Sequence, residues 1–529
     1  MHVHVTFPEA EMKQDQRRAR RVPRSMLAVT SVCLCLAGSM AVAQPASSKK
    51  GSATAGASPA CASRVNNTFD KLLDCVTLEG VRSHQRAWQA IANAHGGTRA
   101  AGTAGYEESV AYVASKMRDA GYDVTLNPFP FVYVALPKLA QTAPITATYE
   151  SGAYTGTGYG TVTAAVTGVD LSLAPPRAST SGCEASDFAG FPAGTIALIQ
   201  RGTCSFAIKA INAEAAGASA VIIFNQGNTP DREDLIVGTL GGVNVVGIPV
   251  VGASFAQGVA LAASGSMAMI QIDAPQNITL HNVIAESRSG DANNVVMVGA
   301  HLDSVNRGPG INDNGSGSAA ILETALQMAK VKPRNKLRFA WWGAEEAGLV
   351  GSTAYVNGLS EADQKKIALY LNFDMVGSPN HAFFIYDGDD SDGVGAGPGP
   401  EGSAYIEQVF ENFYVERGLP FAGTDFSGRS DYGPFIAIGI PSGGLFTGAE
   451  GIKTPAEAAL FGGTAGSAYD PCYHLACDTI DNVNLSALDV NADAIAYSTL
   501  LFSMNTNAIN GKRGKGNFKY PAYKFLETE

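Results

Sequence analysis

Between Val295 and His474 two histidines and four carboxylates stand after apolar, strand-like runs or in the loops that follow them. That disposition builds a cage for two divalent metal ions. The run 295–300 ends in His301-Leu302-Asp303, and Asp313 follows in a glycine-rich loop ahead of a helical stretch. Residues 337–342 lead into Gly343-Ala344-Glu345-Glu346, and 368–373 lead into Asp374. Tyr473-His474 comes about a hundred residues later, between Cys472 and Cys477. Imidazole nitrogen and carboxylate oxygen suit borderline or hard divalent cations, and one His plus carboxylates per ion suits a pair. Asp313, in the loop between the two halves of the set, is the natural bridge. Two ions about 3.5 to 4 Å apart can share one hydroxide and polarise a carbonyl, the arrangement of metal-assisted hydrolysis.

Glu345 and Glu346 need different tasks. Neighbours on extended backbone point to opposite sides, so Glu346 is assigned to a metal and Glu345 to the proton of the activated water. Asp303, two residues past His301, is placed to accept a hydrogen bond from the free nitrogen of that ring. A lone His-x-Asp or Glu-Glu doublet is usually a solvated or satisfied pair. Carboxylates at successive strand ends are different, because each would cost several kcal/mol if buried without a cation.

Residues so far apart meet only if their strands are neighbours. In an open α/β sheet the carboxyl ends of adjacent parallel strands converge on one crevice while helices cover both faces. The sequence therefore predicts an α/β fold with a mixed, mostly parallel central sheet. Helices are expected over 84–93, 105–121 and 315–330, near 405–417 and over 485–505, with a strand over 122–131. The 315–330 helix has Ser316 available as a cap and Ile321, Leu322, Ala325 and Ala329 as its apolar stripe.

The segments Ala300-His301-Leu302-Asp303-Ser304, Gly310-Ile311-Asn312-Asp313-Asn314-Gly315, Trp342-Gly343-Ala344-Glu345-Glu346-Ala347-Gly348, Asn372-Phe373-Asp374-Met375 and Tyr473-His474 resemble the M28 family of zinc exopeptidases, and within it the secreted bacterial leucine-type aminopeptidases. The resemblance implies two Zn2+. His301, Asp313 and Asp374 would hold one, and His474, Glu346 and the shared Asp313 the other. Glu345 would be the general base, Asp303 the acid orienting His301, and Tyr473 the donor to the tetrahedral intermediate. It also implies a cis Asp313-Asn314 bond, Met375 and Phe446 in the wall of an apolar, leucine-favouring pocket, and Arg429 beside the site. The substrates implied are peptides with a free N-terminus. An M28-type carboxypeptidase is the alternative enzyme, needing a basic patch of which only Arg429 gives a hint. A binding protein that has lost its ligands, as in transferrin-receptor-like relatives, is the non-enzymatic rival, and here no ligand position is missing.

Residues 140–273 change texture to Thr/Val/Gly-rich short strands with few charges. The stretch from Gly194 to Phe206 and Ala220-Val221-Ile222-Ile223-Phe224 resembles a protease-associated (PA) domain inserted in a catalytic domain spanning 61–139 and 274–510. Its Arg201 and Lys209 are expected to be solvated.

The remaining features read as those of a secreted or periplasmic protein. Positions 1–43 have a basic segment, an apolar segment and Ala41-Val42-Ala43, a signal-peptide pattern, and 44–60 reads as a flexible leader or pro-segment. No later run reaches the roughly 20 apolar residues of a membrane helix, so no membrane association is expected once the signal is removed. The formal net charge is −11 over the whole chain, and more negative without the signal, which argues against nucleic acid. Six cysteines remain after residue 43, an even set in an exported chain. Proximity suggests Cys61 with Cys75, Cys183 with Cys204, and Cys472 with Cys477. Residues 511–529 read as a C-terminal tail.

Overall fold

The protein is described by a computed structural model over residues 59–395 and 397–512. The expected signal peptide, nearly all of the leader and most of the C-terminal tail lie outside these residues. The catalytic part is built on an eight-stranded sheet. In chain order its strands are β1 (Asp123–Tyr133), β2 (Gln276–Glu286), β3 (Asp291–His301), β4 (Asn335–Trp342), β5 (Ile367–Phe373), β6 (Phe384–Tyr386), β7 (Ala422–Thr424) and β8 (Ser442–Phe446). Their spatial order is β1-β2-β4-β3-β5-β8-β6-β7. The pairs β4-β3, β3-β5 and β5-β8 are parallel, whereas β1-β2 and β2-β4 are antiparallel.

The central strands read as unbroken apolar runs because they are covered on both faces. Every residue of β5 is buried, as are the last eight of β3. The edge strand β1 carries Pro128 and Pro130, tolerated there because an edge has backbone N–H groups to spare. One face packs under helices α1 (Leu78–Ala94), α2 (Ala104–Asp119), α3 (Gly315–Met328) and α6 (Leu485–Met504), and α5 (Ser403–Glu416) joins the same core. The opposite face gathers Trp342, Tyr370 and Phe435 under α4 (Val350–Gly358), with Tyr370 and Phe435 stacked at 4.1 Å between ring centroids. Helix α3 is capped by Asn314 rather than Ser316: the Asn314 side chain accepts from Gly317 N, while Ser316 Oγ donates back to Asn312 O at 2.7 Å.

Between β1 and β2 the chain builds a second, seven-stranded sheet with its own cores. Its spatial order is Ala147–Tyr149, Lys138–Ala143, Met267–Ile272, Gly160–Val169, Ile196–Gln200, Ala220–Phe224 and Val250–Ala253. One ion pair across to the catalytic part joins Glu150 to Arg307 at 3.2 Å. Lys209 is fully buried in this module, contrary to the expected solvation, because its ammonium donates to Ser181 O. Burial pulls it down to about 8. Arg201 is partly exposed and donates to Asn225 Oδ1 at 3.2 Å. The cysteines pair as Cys61–Cys75, Cys183–Cys204 and Cys472–Cys477. Among the described residues no helix is long and apolar enough to cross a membrane.

Candidate active site

Adjacent strands β4, β3 and β5 deliver their carboxyl ends to one place. His301 is the last residue of β3, Asp374 follows β5, Glu345 and Glu346 lie in the turn after β4, and Asp313 precedes α3. His474 arrives on the Cys472–Cys477 loop. The His301 Nε2 atom stands 3.2 Å from Asp313 Oδ1, 3.3 Å from Asp374 Oδ1 and 3.9 Å from Glu345 Oε2. His474 Nε2 stands 3.3 Å from Asp313 Oδ2 and 3.0 Å from Glu346 Oε2. Two triads result, His301/Glu345/Asp374 and His474/Glu346/Asp313, and Asp313 turns one oxygen toward each imidazole. The side chain of His301 is 1% exposed and that of His474 40%, so His474 is the imidazole that reaches solvent.

The Glu345-Glu346 doublet sits in a turn, not on extended backbone, with Ala344 at φ +55° directing it. Met375 and His474 also hold left-handed backbone, at φ +49° and +58°. Such conformations are costly for residues with a side chain and persist where the surroundings enforce them. The Asp313–Asn314 bond is cis. Asp303 is fully buried, but its carboxylate is not what meets His301 Nδ1. That nitrogen lies 3.1 Å from the Asp303 backbone carbonyl and 3.7 Å from Oδ1. The carboxylate instead accepts the backbone N–H groups of Glu345 and Glu346, at 3.2 and 3.4 Å.

Asp478 plays the equivalent part for the bridging acid, accepting Asn312 N at 2.8 Å and Asp313 N at 3.0 Å. Asp470 accepts Asn312 Nδ2 at 2.7 Å, and Ser430 Oγ donates to Asp374 Oδ2 at 2.6 Å. Arg99, fully buried, donates to the carbonyls of Leu302, Pro309 and Gly310, tying together the segments that lead from His301 and to Asp313.

Electrostatically the site is acid-rich. Burial pushes Glu345 far above the usual carboxylate range, reinforced by Asp374, Asp431 and Glu346 against the opposing pull of His301. Burial lifts Glu346 to about 7, with Asp313 adding to the shift. Burial alone would lower His301, yet Asp374, Glu345, Asp303 and Asp313 outweigh it and raise the imidazole well above its ordinary value. Among the described residues neither Glu346 Oε1 nor Asp374 Oδ1, both buried, receives a hydrogen bond. Orphaned carboxylate oxygens beside imidazole nitrogens fit divalent cations of the zinc type.

The family model for peptidase family M28 matches residues 282–499, and that for the PA domain matches 166–261. An aminopeptidase of Pseudomonas aeruginosa strain PAO1 is 53% identical over 447 residues, covering 82% of this chain and 83% of its own. The chain belongs to peptidase family M28. It is an enzyme of the aminopeptidase group within that family and has a PA domain inserted. Leucine aminopeptidase 2 of Trichophyton rubrum is 48% identical over 342 residues, covering 62% of this chain and 68% of its own. The zinc aminopeptidase BSAP of Bacillus subtilis shares the fold at TM-score 0.54 and 28% identity, over 80% of this chain and 94% of its own.

The other residues expected near an M28 centre are distributed as follows. Tyr473 stacks on the His474 ring at 3.7 Å, and its hydroxyl lies 3.4 Å from Arg429 Nη2. Arg429 also pairs with Glu450 at 2.9 Å. Met375 is buried with its carbonyl held by Thr447, and Phe446, at the end of β8, is partly buried with its ring 6.2 Å from Phe384. Sequence reasoning missed Arg99, Asp470, Asp478 and Glu450. Asp478 directly follows Cys477, and that adjacency to the His474 loop was its one available signal. Arg99 had none, since its partners are backbone carbonyls more than two hundred residues away.

Proposed function

We propose that this M28 enzyme is a secreted aminopeptidase that removes apolar, leucine-like N-terminal residues using two Zn2+. The observation that carries this reading is Asp313 set between the two imidazoles, 3.2 and 3.3 Å away, with Asp374 and Glu346 completing a triad on either side. His301, Asp374 and Asp313 would hold one ion, and His474, Glu346 and Asp313 the other. Bound there, the ions would activate water and polarise the scissile carbonyl.

The remaining steps fall to the protein. Glu345, whose proton affinity is raised by burial, accepts the water proton and returns it to the leaving amine. Tyr473 donates its hydroxyl hydrogen to the developing oxyanion. The free α-ammonium of the substrate is met by the surplus of carboxylate around Glu345 and Asp374, which explains an acidic cleft in a metal site. Met375 and Phe446 supply apolar wall for the first side chain. The carboxypeptidase alternative rests on Arg429, and that cation is already engaged by Glu450. The PA domain, joined to the catalytic part by Glu150–Arg307, would flank the cleft and limit which polypeptides enter.

The test compares leucine-p-nitroanilide with its N-acetylated counterpart, using wild type and Glu345→Gln, before and after chelation and zinc restoration. Hydrolysis of the free-amine compound alone, lost on chelation, regained with zinc and abolished by Glu345→Gln, is expected. Cleavage of the blocked compound or an active Glu345→Gln variant would refute it.

A further inference from the structure

Glu450 lies outside the two triads, and its side chain is 54% exposed, so neither metal binding nor folding accounts for its geometry. Its Oε1 grips Arg429 Nη1 at 2.9 Å, and Arg429 Nη2 donates to the Tyr473 hydroxyl oxygen at 3.4 Å. The guanidinium is planar and forked, so fixing one nitrogen aims the other. Without its partner, an arginine side chain exposed by 64% has water on most sides and many rotamers to visit.

Both ends of this chain of contacts are anchored. The Glu450 loop is hydrogen-bonded to the strand-like segment leading to Tyr473, through Tyr469 N to Gly451 O at 3.0 Å and Asp470 N to Ala449 O at 2.9 Å. Next to Arg429, Ser430 bonds Asp374 on one side and Asn372 on the other. The Tyr473 ring itself is fixed by its stacking on His474.

We infer that Glu450 is a positioning residue: it locks Arg429 against the Tyr473 hydroxyl oxygen, so that the phenolic hydrogen is left to point into the site. A phenol has one hydrogen to donate and oxygen lone pairs to accept with. An N–H arriving from Arg429 occupies the accepting side, so the O–H is not spent on that neighbour. It stays available for an oxygen that becomes negative during the reaction, where a preorganised donor acts without reorientation. This inference rests on the proposed role of Tyr473 as oxyanion donor.

The experiment is a double-mutant cycle on the full-length, zinc-loaded enzyme with Glu450→Gln, Tyr473→Phe and both together. It measures kcat and KM on leucine-p-nitroanilide and the inhibition constant of a boronic acid analogue of leucine, a tetrahedral mimic. Glu450→Gln should lower kcat about two- to fivefold, the range of a solvent-exposed ion pair, with KM unchanged and boronate binding weakened in parallel. Tyr473→Phe should lower kcat about a hundredfold. In the Tyr473→Phe background Glu450→Gln should cost nothing further. A Glu450→Gln variant with wild-type kcat, or a double variant that loses both factors independently, overturns the inference while leaving the role of Tyr473 intact. A Tyr473→Phe variant at full rate removes the oxyanion reading and this inference with it.

Discussion

Replacing Asp303 by Asn separates two ways in which a buried acid can serve the M28 centre. If the carboxylate acted by orienting His301, the substitution would weaken metal binding first. In this structure the bond to His301 Nδ1 comes from the Asp303 backbone carbonyl, which the substitution leaves untouched, while the carboxylate holds Glu345 N and Glu346 N at 3.2 and 3.4 Å. An asparagine offers one acceptor oxygen and turns an N–H₂ toward the other amide. One charge-assisted bond is lost, worth about 1.5 to 3 kcal/mol. For a chain of this size that corresponds to a fall in Tm of about 2 to 3 °C. The turn carrying Glu345, the proposed general base, loosens, and a displacement of about 1 Å at a catalytic group costs about a hundredfold in rate. Asp303→Asn should therefore lower kcat on leucine-p-nitroanilide by about 10- to 100-fold at saturating zinc, while zinc affinity in chelator competition stays within about threefold. A variant with wild-type kcat and collapsed zinc affinity would refute the reasoning.

Three further outcomes follow from the same contacts. Arg99→Met should destabilise the protein by about 3 to 5 kcal/mol in denaturant unfolding, because carbonyls on two segments lose their shared buried donor, and Arg99→Lys should recover part of that. Opening the Cys472–Cys477 bridge with paired serines should cost about 2 kcal/mol by loop entropy. Its larger effect should be on zinc affinity, roughly tenfold weaker by chelator competition, because the loop presents His474. Glu407 is 3% exposed, and its burial, reinforced by Asp389, Asp387 and Glu411 against the Gly388 N–H, lifts it to about 8. The folded state then holds a proton that the unfolded chain releases near pH 4.5, so stability is full below that value and declines as pH rises toward 8. Glu407→Gln should flatten the fall in Tm between pH 5 and 8, and an unchanged slope would show that Glu407 is not its source.

The candidate metal-holding residues were legible in the sequence because the local pattern of an apolar run followed by a His or acid is enforced by the strand itself. A strand buried on both faces must be apolar until it reaches the crevice, where its next polar residue is exposed to the same small volume as those of its neighbours. His301, the Glu345-Glu346 doublet and Asp374 all announce themselves in this way. The short-range cysteine pairs and the two-sheet division were readable for similar reasons, one from proximity and the other from texture. The helix over 315–330 was found, but its cap was misjudged by two residues, since Ser316 and Asn314 are both good capping residues and only the backbone geometry chooses between them.

What the tertiary structure alone decided is which groups hold these side chains still. Asp303 was expected beside His301 and is there, yet its carboxylate serves the Glu345-Glu346 turn, because the direction of a side chain depends on which N–H groups the fold leaves unpaired nearby. Lys209 was expected in water and is buried, since a carbonyl across the insertion accepts its charge. Arg99, Asp478 and Glu450 act through partners distant in sequence or through backbone atoms, and a backbone amide or carbonyl has no residue identity for a sequence to display. The sequence by itself determined the candidate donor residues and the strands that end at them. The fold supplied their supporting hydrogen bonds, which are set by distances between elements rather than by the order of residues.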